Sequence, residues 1–199
     1  MGETDHYRKI VLDLIVKEKK SIDNLLIIDI GCGYSPLTDS CDTFDLPIPY
    51  NGADSSKIKY HGDVREILSI VKVKYDVVYS SHLIEDFKEF EIKKLLKDWC
   101  KILKDDGIII LLLPDQQRYL NRCIIDNTLP NGSHKYDMFG LDFMCSIIKK
   151  IKILKIVYKK ELFDRKNSHD STYNIIFCLK KNNILISQNK DKDSNKTIY

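Results

Sequence analysis

The stretch Leu25-Leu26-Ile27-Ile28-Asp29-Ile30-Gly31-Cys32-Gly33-Tyr34-Ser35-Pro36 decides how this chain folds. Residues 25–30 form a short, nearly continuous apolar run rather than an alternating one, as expected of a parallel strand covered on both faces. Two glycines follow at once. A glycine loop at the carboxyl end of a central strand lets the backbone approach a ligand where open α/β sheets bind theirs. The dinucleotide version of this loop needs a third glycine three positions after Gly33, and Pro36 stands there instead. A nicotinamide-dependent oxidoreductase is therefore the weaker of the enzyme readings.

The same alternation continues on either side. Upstream, residues 6–20 place Ile10, Val11, Leu14 and Ile15 on one helical face. Downstream, a loop-like segment over 31–63 holds one apolar island at 43–46, read as a second strand. Residues 66–74 are helical or irregular, 75–80 a strand, and 87–103 a helix whose Phe90, Leu95, Leu96, Trp99 and Leu103 are expected to share a core face. Gly107 is read as closing that helix and opening a strand over 108–113 that Pro114 ends. Helices over 116–125 and 141–150 follow, separated by a polar loop. Two strand-like runs, 151–162 and 171–181, flank the turn-forming Asp164-Arg165-Lys166-Asn167-Ser168-His169-Asp170 and read as an antiparallel pair. The expected architecture is α/β: one domain over 1–181, with a polar tail over 182–199.

Composition narrows the function. At 199 residues and 43% hydrophobic the chain supports one domain with a real core. Its 32 Lys+Arg against 29 Asp+Glu leave a formal +3, and only five of the cations are arginine, so a broad phosphate-binding surface is not expected. No apolar run has the length of a membrane span. The opening Met1-Gly2-Glu3-Thr4-Asp5-His6 carries acids rather than the apolar core of a secretory leader, and the expected location is the cytoplasm. The six cysteines contain no C-x-x-C pair, which reads as reduced, mostly buried thiols, and no cluster has metal-ligand spacing.

Asp29-Ile30-Gly31-Cys32-Gly33 after an apolar strand resembles the first motif of the class I S-adenosylmethionine-dependent methyltransferases. The resemblance runs from Leu25 to Asp115. It takes in Thr43-Phe44-Asp45, Gly62-Asp63, Ser80-Ser81-His82-Leu83-Ile84-Glu85, and the Gly107-to-Asp115 strand with its terminal Pro-Asp. It implies a three-layer Rossmann-like sandwich, a mostly parallel sheet closed by an antiparallel C-terminal hairpin, and S-adenosyl-L-methionine as cofactor. By that resemblance Asp45 holds the ribose hydroxyls and Asp63 the adenine amino group. Gly31, Cys32, Gly33, Gly62, Ser80 and Ser81 then line the cofactor, and Asp29 bonds backbone amides or the cationic amino-acid end. The chain departs from the family in two places: residues 34–40 leave only a short turn where a full helix usually follows the glycines, and Asp86 stands where a histidine often closes the fourth motif.

Methyl transfer to a hydroxyl needs in-line alignment and a base of near-neutral pKa. His82, at the carboxyl edge of the fourth-motif strand, is one candidate, with Glu85 three residues on to orient it. His134 is the second, in a cluster after the next strand made of Asp115, Arg118, Tyr119 and the polar loop 131–135; His6, His61 and His169 read as surface. The expected acceptor is a small molecule or a sugar or glycan, methylated at oxygen, with no membrane and no nucleic-acid partner. A non-catalytic module that kept this fold is the alternative, suggested by the missing helix.

Overall fold

The computed structural model describes residues 3–48, 54–162 and 173–182. In chain order they form α1 (Glu3–Lys19), β1 (Ile27–Ile30), β2 (Asp42–Asp45), β3 (Tyr60–His61), α2 (Ile67–Ile70), β4 (Tyr75–Ser81), α3 (Glu89–Ile102), β5 (Leu103–Pro114), α4 (Gln116–Ile125), α5 (Leu141–Lys149), β6 (Leu154–Leu162) and β7 (Asn174–Lys181). The strands make one sheet in the order β3-β2-β1-β4-β5-β7-β6. The first five run parallel, with Ile27 opposite Val77 and Ile30 opposite Ser80. β7 then enters antiparallel beside β5, and β6 pairs antiparallel outside it, as the expected hairpin requires.

Alternation along β1 explains the two cores. Ile28 and Ile30 face the layer of α3 and α5, where Leu95, Leu96, Trp99, Met144 and Ile147 are buried. Ile27 faces the other side, where Tyr7, Val11, Leu14 and Ile15 of α1 cover Val77, Tyr79, Ile110 and Leu112. The sheet is thus sandwiched as a three-layer Rossmann-like fold. Among the described residues no helix is long and apolar enough to cross a membrane.

The missing helix after the glycines is confirmed: no helix falls between β1 and β2. The shortened loop is held instead by specific bonds. Leu37 is fully buried and donates its N–H to Asp29 Oδ2 at 2.8 Å, and Arg8 of α1 reaches Ser35 Oγ and the Pro36 carbonyl, each at 3.0 Å.

Two local expectations need correction. Phe90 is 67% exposed rather than part of the α3 core face; at about 100° per residue it points roughly 160° away from Ile92, which leads the buried row Ile92, Leu95, Leu96, Trp99. Gly107 does not end a helix: α3 passes directly into β5 at Leu103, and Gly107 lies in an irregularity where Tyr75 pairs with Leu103 but Val77 pairs with Ile108. A Cβ there would stand 2.8 Å from Leu103 Cδ2 and 3.0 Å from the Lys104 carbonyl, so the close backbone approach demands glycine. Residues 66–74 are helical or irregular as expected, the single turn of α2 following a tight turn over Val64–Glu66. The turn at 164–170 and the tail beyond 182 lie outside the described residues, and His169 with them.

Candidate active site

One cavity of about 1060 Å³ opens at the carboxyl edge of the sheet, large enough for a cofactor and a small second ligand. Its floor is the glycine loop. Gly31 takes φ +74° and donates its N–H to the Phe44 carbonyl at 2.8 Å, which turns the chain back over the end of β2. Gly33 then donates to Asp45 Oδ2 at 2.8 Å, while Asp45 Oδ1 accepts from Leu46 N–H at 2.7 Å. A Cβ added at Gly33 would meet open space, so the cavity reaches the backbone there. Asp45 thus presents acceptor oxygens at the rim, each with a second lone pair.

The adjoining wall comes from β3. Gly62 donates its N–H to the Asp45 carbonyl at 2.9 Å, and Asp63 caps the Val64–Glu66 turn by accepting from Arg65 N–H at 2.8 Å. The Arg65 guanidinium also binds both Asp63 oxygens, which holds that carboxyl below the usual range. Gly31, Cys32, Gly33, Asp45, Gly62, Asp63 and Ser81 all line the cavity. Burial, aided by Asp29 and Asp45, pushes the Cys32 thiol up to about 12, so it stays protonated and fills space rather than attacking.

Two of the expected cofactor residues do not line it. Ser80 is fully buried and spends its hydroxyl on the Ile30 carbonyl at 2.8 Å, stitching β4 to β1. Asp29 is 1% exposed and turned to the α1 side, where it holds the Leu37 amide; burial pushes its carboxyl up to about 7. Its role here is to shape the shortened loop.

The opposite wall gathers the candidate bases. β4 ends in Ser81, and His82 adopts φ +49°, a left-handed residue that sharply redirects the chain into the Ile84–Asp86 turn. His82 donates its backbone N–H to Leu112 at 2.9 Å, anchoring it to the end of β5. Glu85, 1% exposed, places Oε1 3.6 Å from His82 Nδ1 and 4.0 Å from His134 Nε2. The two histidines expected from separate segments therefore converge on one buried carboxylate. The loop carrying His134 is fixed by the Lys135 N–H bond to the Glu85 carbonyl at 3.1 Å. Burial holds the His134 imidazole below the usual histidine range, Glu85 pulls it back up, and His82 pushes it down. Burial and the neighbouring Glu85 charge push Asp86 up to about 6.

Tyr119 stands beside His134 as the sequence cluster expected, whereas Gln116, behind this wall, and Tyr173, on it, were not singled out from sequence. Gln116 bonds His134, Tyr119 packs its ring 5.1 Å from that of His134, and Tyr173 lies 5.3 Å from Tyr119 and 6.4 Å from His82. Gln116 could have been found, because Asp115 caps α4 at the sheet's carboxyl edge. Tyr173 arrives through the antiparallel return of β7, which leaves no local sign. His61 is exposed and does not line the cavity.

The methyltransferase domain family matches residues 5–151. Among solved structures, the fold is similar to an S-adenosylmethionine-dependent methyltransferase from Clostridium acetobutylicum ATCC 824 (14% identity, 90% of this chain and 92% of that one, TM-score 0.61). It is also similar to magnesium protoporphyrin IX methyltransferase from Synechocystis PCC 6803 with bound SAH (14% identity, 87% and 81%, TM-score 0.60). A third is the mitomycin 7-O-methyltransferase MmcR (12% identity, 88% and 56%, TM-score 0.56). No curated protein matches the chain. The glycine loop, the strand order with its reversed β7 and the family match over most of the chain agree: this protein belongs to the methyltransferase domain family, as an S-adenosylmethionine-dependent enzyme.

Proposed function

We propose that the protein methylates an oxygen of a small-molecule or sugar acceptor. The observation that carries this reading is the convergence of His82 and His134 on the buried Glu85 carboxylate, on the wall of the same cavity whose floor is the glycine loop. The similarity to a 7-O-methyltransferase and the diffuse surface charge point the same way.

The residues present fit the cofactor. Asp45 has lone pairs for two ribose hydroxyls, Gly33 leaves its backbone uncovered, and Asp63 and Ser81 stand beside them. When bound, S-adenosylmethionine supplies an electrophilic methyl on a sulfonium. Everything else falls to the chain. The acceptor hydroxyl must lose its proton as it attacks, and a histidine nitrogen at the cavity wall takes it. The positive charge left on that imidazole is balanced by Glu85, which is shielded from water and so acts at low effective dielectric. Tyr119 and Tyr173 give the acceptor end flat, partly apolar walls suited to a ring, whether aromatic or pyranose.

The test is transfer of labelled methyl from S-adenosylmethionine to a panel of phenols and monosaccharides. His82→Ala and His134→Ala should each lower turnover while leaving cofactor affinity intact. Full activity in both variants would remove the histidines from the mechanism, and transfer only to RNA or protein would remove the acceptor class.

A further inference from the structure

We infer that Gln116 is a positioning residue that selects which nitrogen of His134 is basic. The Gln116 side chain is 3% exposed, and its Oε1 lies 2.6 Å from His134 Nδ1. A carbonyl oxygen only accepts, so the hydrogen sits on Nδ1. In the neutral ring the lone pair then sits on Nε2, the nitrogen that faces Glu85. With the opposite tautomer, Nε2 would carry its hydrogen toward Glu85 and the basic nitrogen would be sealed against Gln116. The tautomer therefore decides whether His134 can accept a proton on the side of the cavity.

Gln116 is held firmly enough to impose this choice. It is the first residue of α4; its backbone N–H donates to Phe139 at 2.8 Å, and Asp115 before it caps the helix through Arg118 N–H at 3.1 Å. The Asp115 N–H in turn bonds the Tyr173 carbonyl, which ties α4 to the start of β7. The groups that bear on His134 are Glu85 and His82 from the turn after β4 and Tyr119 from α4, with Asp86 and Lys135 adjoining Glu85. One carboxylate serves two imidazoles, so it compensates one positive charge at a time. Gln116 holds the neutral His134 ring in its Nδ1–H form, with Nε2 left to take the proton.

The inference rests on the proposed methyltransferase chemistry only in its kinetic arm. Long-range proton–nitrogen NMR on histidine-labelled full-length protein reports the tautomer directly, with His134→Ala assigning its signal among the five histidines. The parent should show the Nδ1–H form of His134, and Gln116→Leu should lose it and drop kcat on the order of tenfold or more with KM little changed. Gln116→Glu keeps the acceptor and adds charge. It should retain the tautomer and move the acid limb of the kcat/KM profile to higher pH, which a merely structural residue would not do. An Nε2–H tautomer in the parent overturns the proposal even if Gln116→Leu fails to fold. An unshifted pH profile in Gln116→Glu overturns it as well. Failure of S-adenosylhomocysteine to bind the parent would instead count against the methyltransferase chemistry and leave the tautomer result standing.

Discussion

Glu85 Oε1 stands 3.6 Å from His82 Nδ1 and the carboxylate is almost wholly withdrawn from solvent. At that separation the two groups are a poised ion pair rather than a hydrogen-bonded one, and contact tightens when the imidazole gains a proton. The same carboxylate raises the proton affinity of the His134 ring, opposing its burial.

Glu85→Gln should therefore lower the pKa of His134 further, because the one contribution holding it up is removed. Turnover should fall by roughly 10²-fold, the usual scale for a lost acid–base contribution, with cofactor affinity little altered. Histidine NMR titration and steady-state kinetics measure both. An unchanged His134 titration would show that Glu85 does not act on it.

Asp29 makes stability depend on pH. Its folded pKa of about 7 lies above the ordinary aspartate value of 3.8, so the native state binds the proton more tightly than the unfolded chain. The stabilisation is complete below the unfolded value and is lost as pH rises through the folded one. Asp29→Asn removes this dependence while still offering an oxygen to the Leu37 amide. Urea unfolding should show the variant gaining on the parent between mildly acidic and mildly alkaline pH, by at most about 4 kcal/mol. A constant difference across that range would contradict the account.

Gly107→Ala should cost about 1–3 kcal/mol in urea unfolding, because the added methyl meets Leu103 and the Lys104 carbonyl at the irregularity in β5. A neutral substitution would mean that the junction between α3 and β5 relaxes freely.

The succession of strands along the chain, the antiparallel C-terminal pair and the missing helix were legible because each rests on a local signal: an apolar run, a turn segment, a proline. Phe90 was misplaced because residues five apart do not share a helical face, and the Gly107 junction because a helix running straight into a strand needs no break. At the site, Asp45 and the glycines were legible as a motif. Ser80 and Asp29 were not separable from it, since only the strand register shows that one stitches β4 to β1 and the other faces α1. The meeting of His82 with His134 depends on Gln116 and Tyr119, whose contacts exist only after α4 is seated on the sheet edge.

The most direct measurement is calorimetric titration of the protein and of its Asp45→Ala variant with S-adenosylhomocysteine. On the proposed reading Asp45 would contribute charge-assisted hydrogen bonds of about 1.5–3 kcal/mol, so the parent should bind saturably and the variant more weakly by roughly 10- to 150-fold. No binding to the parent at about 1 mM, a level at which even a −4.1 kcal/mol complex half-saturates, would contradict the account. So would equal binding by the two proteins.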